Sequence, residues 1–311
     1  MEHGVYDMLI LGGGPGGYTA ALYAARAGLR TAVIEKLSAG GQLALTEIIE
    51  NYPGFETGIE GWELSETMKK QAERFGAETV GAEVFSADLT AQPKRVETSD
   101  GVYLGKTVVI ATGAGPRKLG LAGEERLTGR GVHYCASCDG YFYRGRTVVV
   151  VGGGNTAAAD ALLLSRVAKK VYLVHRRDAL RATRVYHEPL RKAENVEILL
   201  GSQVTELLEN GRLTGVRIRD AASGTERELE ADGVFVAVGR APATALFAGQ
   251  LDLADGYIPA GESTATAIPG VYAVGDVRTK AVRQVVTAAA DGAVAVHMAE
   301  EYLGTIDGLS S

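Results

Sequence analysis

Short apolar runs that stop at glycine turns, each followed by an alanine- or leucine-rich stretch, set the rhythm of the chain. Val5 to Leu11 is mostly apolar and ends in Gly12-Gly13-Gly14-Pro15-Gly16-Gly17. The stretch from Tyr18 to Gly28 then has helical composition and stops at a glycine, and Thr31 to Ile34 is a second apolar run ending at Glu35. The whole predicts strand, turn, helix, strand. Trp62, Leu64, Met68, Ala72 and Phe75 recur at helical spacing and predict a helix packed on a core. Thr107 to Ile110 is a further buried strand, and Ala111-Thr112-Gly113-Ala114-Gly115-Pro116 marks a domain boundary, because the strand–turn–helix order then begins again.

The second round repeats the first. Thr147 to Val151 is a β-branched run ending in Gly152-Gly153-Gly154-Asn155-Thr156-Ala157, with a helix predicted to about Ala168 and a strand from Val171 to Val174. The two glycine motifs stand 140 residues apart, a duplication of architecture and not a short solenoid repeat. Asp232 to Val238 closes this second unit as a buried strand, and Gly239-Arg240-Ala241-Pro242 marks the return. The tail adds the strand Val271-Tyr272-Ala273-Val274, then Gly275-Asp276, then a helix from about Arg283 to Leu303, broken only by Gly292.

Each G-x-G-x-x-G turn between a strand and a helix is the pattern that seats a dinucleotide. Its glycines let the backbone approach a pyrophosphate, and the helix N-terminus offers free N–H groups. The two copies differ at the end of the second strand. Twenty-three residues past Gly12 stands Glu35, which can accept from ribose hydroxyls. Twenty-three residues past Gly152 stands His175, with Arg176, Arg177 and Arg181 after it. An acid there would repel a 2′-phosphate and arginines would grip it, so the second site is expected to take NADPH over NADH.

Between the motifs lie both cysteines of the chain, Cys135-Ala136-Ser137-Cys138-Asp139-Gly140. A C-x-x-C pair can cycle between dithiol and disulfide, with a thiolate made accessible by a lowered pKa. A structural zinc site would need four ligands, and His133 adds only a third. Gln42 and Asn51 stand in loops rich in turn residues, either as connection or as amide partners of a polar ring edge. Asp276 is open between a helix cap and a polyol ligand.

Composition narrows the class. A formal charge of −6 argues against a nucleic-acid surface. There is no 18-residue apolar run and no basic-then-apolar leader ahead of the first strand. Two cysteines in one motif give no disulfide framework, so a reducing, cytoplasmic setting is the simplest.

Taken together the residues resemble low-molecular-weight, bacterial-type NADPH–thioredoxin reductases, of class II of the pyridine nucleotide-disulfide oxidoreductases, over nearly the whole chain. The likeness is carried by the first glycine motif, Gly40-Gly41-Gln42-Leu43, Glu50-Asn51-Tyr52-Pro53-Gly54-Phe55, Ala111-Thr112-Gly113, the Cys-x-x-Cys-Asp-Gly stretch, His175-Arg176-Arg177-Asp178 with Arg181, and Gly275-Asp276 with Arg283-Gln284. It implies an α/β protein of two doubly wound, Rossmann-like domains. An FAD domain (1–114 and 243–311) would be split by an inserted NADPH domain (115–242) that carries the cysteines. FAD would lie on Gly12, Gly14, Pro15, Gly16, Glu35, Gly41, Gln42, Asn51, Ala111, Thr112, Gly113, Gly275, Asp276, Arg283 and Gln284. NADPH would lie on Gly154, Asn155, Thr156, His175, Arg176, Arg177 and Arg181.

By the same resemblance Cys138 is the sulfur nearer the flavin, Cys135 attacks the substrate disulfide, and Asp139 trades a proton with the leaving thiolate. The family turns its two domains about crossings that fall here near Ala114–Arg117 and Arg240–Thr244, and forms homodimers. The implied partner is thioredoxin or a thioredoxin-like protein. Asn155-Thr156 and Ala290 depart from frequent family residues, which bears on cofactor affinity. The alternatives are a flavin-dependent reductase of another disulfide and a redox-sensing flavoprotein without turnover.

Overall fold

A computed structural model describes residues 2–36, 39–46 and 48–306. The chain divides into two compact units, one formed by the residues up to Gly115 and from Pro242 onward, the other by Pro116–Ala241.

In the first unit Glu78–Gly81, Thr31–Glu35, Glu2–Leu11 and Gly101–Ile110 lie side by side, all parallel. The far edge of Gly101–Ile110 is shared. Its first half pairs antiparallel with Lys94–Thr98, and its last three residues pair parallel with Val271–Ala273. That parallel pairing brings the C-terminal tail into the sheet started by the N-terminus. Strands covered on both faces must be apolar along their length, and Met8 to Leu11 and Val108 to Ile110 are all essentially without exposure.

The helix Pro15–Arg26 starts with proline, whose missing N–H costs nothing there. It stops where Gly28 takes φ +80° and the Leu29 N–H turns back to the Ala24 carbonyl. A second helix, Gly61–Arg74, buries Leu64 and Ala72 as its spacing predicts. Trp62 and Phe75 depart from that expectation, at 58% and 39% exposed. Phe75 lies past the last helical turn, and its ring is covered by the Arg26 and Arg74 guanidinium groups instead of core. The last helix, Val285–Ile306, runs unbroken through Gly292, contrary to the break the sequence suggests. That glycine is there for contact: a Cβ would sit 2.3 Å from the Gly16 carbonyl oxygen of the first helix.

The second unit repeats the plan. Five parallel strands run in the order Val196–Leu199, Lys170–Val174, Thr147–Val151, Gly233–Val236 and Val132–His133. An antiparallel sheet of Ser202–Glu209, Leu213–Asp220 and Glu226–Glu230 covers one side, packing Val204, Leu207 and Val216 against Val149 and Val234. The helix Asn155–Ser165 covers the other through Ala157, Ala158, Ala161 and Leu164. It ends three residues short of the predicted Ala168. Each unit is therefore an α/β, Rossmann-like fold built on a parallel sheet, with its glycine turn at the carboxyl end of the central strands, where such sheets bind ligands.

Candidate active site

The redox segment is a short helix, Ala136–Asp139, rolling into a 3-10 turn, Gly140–Tyr143. Cys135, half-buried just ahead of the helix, is disulfide-bonded, and the sequence holds one other cysteine. The side chain of Cys138 lies outside the described part of the structure. Asp139 closes the turn, its N–H donating to the Cys135 carbonyl at 3.2 Å.

Behind that carboxylate stands a residue whose role the sequence does not announce. The Oδ2 of Asp139 is 2.8 Å from His133 Nδ1, and His133 Nε2 is 2.6 Å from the Tyr143 hydroxyl. The imidazole is 8% exposed and stacked on Phe235, with centroids 5.3 Å apart. Phe235 is there because the strand Val132–His133 pairs with it in register. Burial raises the Tyr143 hydroxyl pKa, the Asp139 charge raises it further, and Arg146 and Arg212 oppose them. Just beyond the motif Tyr141 and Phe142 are 68% and 71% exposed, with the Arg144 guanidinium over the Tyr141 ring.

The second glycine turn has the form of an anion cradle. Gly152 takes φ +152°, and a Cβ there would lie 2.3 Å from the Ala237 carbonyl oxygen. A Cβ on Gly153 would enter the His175 ring at 2.4 Å, whereas one on Gly154 would meet nothing within 4 Å. Gly154 caps the helix with no side-chain hydrogen bond, and Asn155 and Thr156, which open the helix, are exposed. The loop carrying Arg181 is strapped to this turn. The Arg181 and Ala182 N–H groups donate to the Gly153 carbonyl at 2.7 and 3.0 Å, and Thr183 N–H to Asn155 Oδ1 at 2.8 Å.

His175 is 5% exposed, with its Nε2 buried and without a hydrogen-bond partner. Burial, then the charges of Arg181, Arg177 and Arg176, hold its pKa below the ordinary histidine value. All three arginines are exposed, and none has an ion-pair partner among the described residues. An open cradle, an unmet buried donor or acceptor and three uncommitted cations fit a dinucleotide bearing a 2′-phosphate.

The first turn is built to the same plan. Gly12 has φ +109°, and a Cβ on Gly17 would fall 2.0 Å from the Gly12 carbonyl oxygen. Gly14 again has open space at its Cβ position and caps the helix begun by Pro15 and Gly16. Here the acid is tied to the turn: Gly13 N–H donates to Glu35 Oε2 at 2.6 Å. Gly41 (φ +53°) and Gln42 come next in an exposed turn anchored by the Gly40 N–H on the Gly13 carbonyl.

Asn51 is more than loop filling, because its Nδ2 donates to Gln284 Oε1 at 3.0 Å across 233 residues of sequence. Ala111 closes the strand, Thr112 Oγ1 donates to the Ala243 carbonyl at 2.8 Å, and Gly113 takes φ +68°. Asp276 lies in the short turn Gly275–Val277. That turn is held from below by Asp291, which accepts from Gly275 N–H, Arg278 and Lys280, all at 2.7 to 2.9 Å. Asp291 is a structural residue that no motif in the sequence marks. Arg283 lies over the Tyr257 ring and keeps a buried Nε without a partner. The glycine cradle and this unmet donor fit FAD, a group that supplies acceptance of a hydride and delivery of two electrons.

Comparison with known proteins points the same way. Residues 6–292 match the pyridine nucleotide-disulphide oxidoreductase family. A thioredoxin reductase of Streptomyces clavuligerus is 47% identical over 97% of this chain and 95% of its own length. The thioredoxin reductase of Mycolicibacterium smegmatis is 44% identical, over 97% of this chain and 98% of its own. Among solved structures, Lactococcus lactis thioredoxin reductase superposes with a TM-score of 0.86 at 38% identity, over 96% of this chain and 99% of that one. Over nearly its whole length, then, the chain belongs to the bacterial-type thioredoxin reductases, enzymes of the pyridine nucleotide-disulphide oxidoreductase family that use NADPH and FAD.

Proposed function

We propose that Cys135 and Cys138 form the couple through which this enzyme carries NADPH electrons to the disulfide of thioredoxin, with Asp139 as its acid. The observation that carries this assignment is the pairing, in one α/β unit, of a disulfide-bonded Cys135 with an arginine-flanked nucleotide cradle. NADPH is held by Gly154, Asn155 and Thr156 at the pyrophosphate and by His175, Arg176, Arg177 and Arg181 around the 2′-phosphate. FAD is held by Gly12, Gly14 and Gly16, by Glu35, and by the group around Gln42, Asn51, Thr112, Asp276, Arg283 and Gln284. It supplies the exchange of a hydride for two electrons.

The chain's own chemistry is thiol–disulfide exchange. The Cys135 thiolate attacks one sulfur of the partner, forming a mixed disulfide and releasing a thiolate that takes a proton from Asp139. Cys138 then attacks Cys135, restoring the intramolecular disulfide and freeing the partner as a dithiol. Over the cycle NADPH, a proton and a disulfide become NADP⁺ and two thiols. The residues 115–242 serve as the NADPH domain, flanked by two parts of the FAD domain. A cytoplasmic homodimer is part of the same reading, supported by the family and by the lack of any cysteine outside the motif. No described helix is long and apolar enough to cross a membrane.

The test measures NADPH oxidation by the purified yellow protein with thioredoxin as acceptor. Turnover is expected with NADPH, little with NADH, and none in Cys135→Ser or Cys138→Ser, while NADPH still bleaches the flavin in both. Arg176→Ala with Arg181→Ala should raise KM for NADPH by about 100-fold, from the loss of charge-assisted hydrogen bonds. NADPH oxidation that survives both cysteine changes would mean that electrons leave without the dithiol, and would sink the assignment.

A further inference from the structure

An acid that gives up its proton in every cycle must recover one, and the surroundings of Asp139 offer a route. One arm of the imidazole of His133 meets Asp139 at 2.8 Å and the other meets the Tyr143 hydroxyl at 2.6 Å. A neutral imidazole has one donor and one acceptor nitrogen, so this chain of contacts has two consistent arrangements. In one, Nδ1–H donates to the carboxylate and Nε2 accepts from Tyr143. In the other, a carboxylic acid donates to Nδ1 and Nε2–H donates to the tyrosine oxygen. They differ by a proton moved from one end to the other.

Tyr143 also lines a cavity of about 350 Å³ within the second unit. Arg130, Arg146, Arg212 and Asp232 line it too, and the three arginines have no ion-pair partner among the described residues. With Asp139 on the far side of His133, those are the charged groups around the tyrosine, and Phe235, edge-on to its ring, adds none. Burial, Asp139 and Asp232 oppose negative charge on the Tyr143 oxygen, and Arg146 and Arg212 offset part of that cost for the transient charge such a transfer requires.

We propose that His133 and Tyr143 are positioning and relay residues for Asp139, carrying protons between its carboxylate and the arginine-lined cavity. The inference rests on the reading of Asp139 as the acid. As the leaving thiolate takes the Asp139 proton, Nδ1 gives its proton to the carboxylate and Nε2 takes that of the Tyr143 hydroxyl. The tyrosine oxygen regains one from solvent in the cavity. No electrons move in these steps, one solvent proton is delivered to one thiol, and the imidazole, left with its proton on Nε2, returns to the Nδ1–H form before the next turnover.

The experiment uses the flavin-loaded enzyme and measures thioredoxin-dependent turnover across pH, in water and in deuterium oxide. Asp139→Asn, His133→Asn and Tyr143→Phe are compared, with NADPH bleaching of the flavin as the check on folding. Asparagine at 133 can still donate to Asp139 where Nδ1 does, but it cannot pass a proton. We expect Asp139→Asn to lose about 100-fold or more in kcat, the scale of a lost general acid. His133→Asn should lose about 10-fold, with KM for thioredoxin unchanged, a displaced pH profile and an altered solvent isotope effect; Tyr143→Phe should move the same readouts less.

Parent-like kcat, pH profile and isotope effect in both relay variants, beside an impaired Asp139→Asn, would overturn the relay and leave the acid standing. A fully active Asp139→Asn would overturn the acid and the relay with it. If His133→Asn fails to bind flavin, Tyr143→Phe decides alone.

Discussion

At the scale of single residues, the chemistry depends on which polar groups the fold leaves unmet. His175 keeps a buried nitrogen without a partner beside three exposed arginines, and Arg283 keeps a buried Nε. A native fold rarely tolerates such atoms unless something else satisfies them. Asp160, on the helix after the second glycine turn, is a different case. Burial raises its pKa to about 7, with Arg240 pulling the other way. A carboxyl raised in the folded state contributes its stability in full below the unfolded value, near 3.8, and loses it as pH rises through about 7. Asp160→Asn should therefore match the parent below about pH 4, gain on it up to about pH 7, and keep a level advantage above, on the order of 1 kcal/mol after solvent screening. Thermal melts across that range check it; an advantage that shrank with pH would reverse the sign.

Elements in this protein meet through missing side chains. Gly292 lies within the last helix, where glycine usually costs about 1 kcal/mol against alanine. A Cβ there would be 2.3 Å from the Gly16 carbonyl oxygen and 2.8 Å from the Ala20 N. Both are backbone atoms of the first helix and cannot turn aside, so the packing conflict outweighs the gain in propensity. Gly292→Ala should destabilise by about 1 to 3 kcal/mol and lower Tm by several degrees, read by circular dichroism. An unchanged or higher Tm would show that the helices can part at little cost. The sequence presented this glycine as a break because propensity is local, whereas the contact joins residues far apart in the chain. Trp62 and Phe75 err the other way. Their spacing promises burial, and periodicity cannot say how wide a helix face the neighbouring layer will cover.

For the whole molecule the decisive fact is that the inserted unit is contiguous. Pro116–Ala241, 126 residues, encloses its own core, Val149, Val216 and Val234 on one face of its sheet and Val148, Ala161 and Phe235 on the other. That length is ordinary for an independent domain. Expressed alone it should melt cooperatively and bind NADP⁺, detected by calorimetry, in preference to NAD⁺. A fragment that stayed unfolded would mean that the unit borrows stability from the rest of the chain.

The plan of two Rossmann-like α/β units, both glycine turns, Glu35 against His175 with its arginines, and the cysteine pair were all legible in the residues. They are consecutive, and their chemistry comes from spacing along one strand–turn–helix. Tertiary structure alone decided what depends on distant pairs. It joined Asn51 to Gln284, strapped the Arg181 loop to Gly153, and set Asp291 beneath Gly275. It also stood His133 between Asp139 and Tyr143, because a two-residue strand had to pair beside Phe235 before the imidazole could face both. Spacing along a chain fixes local geometry, and only packing brings together side chains whose separation in sequence carries no period.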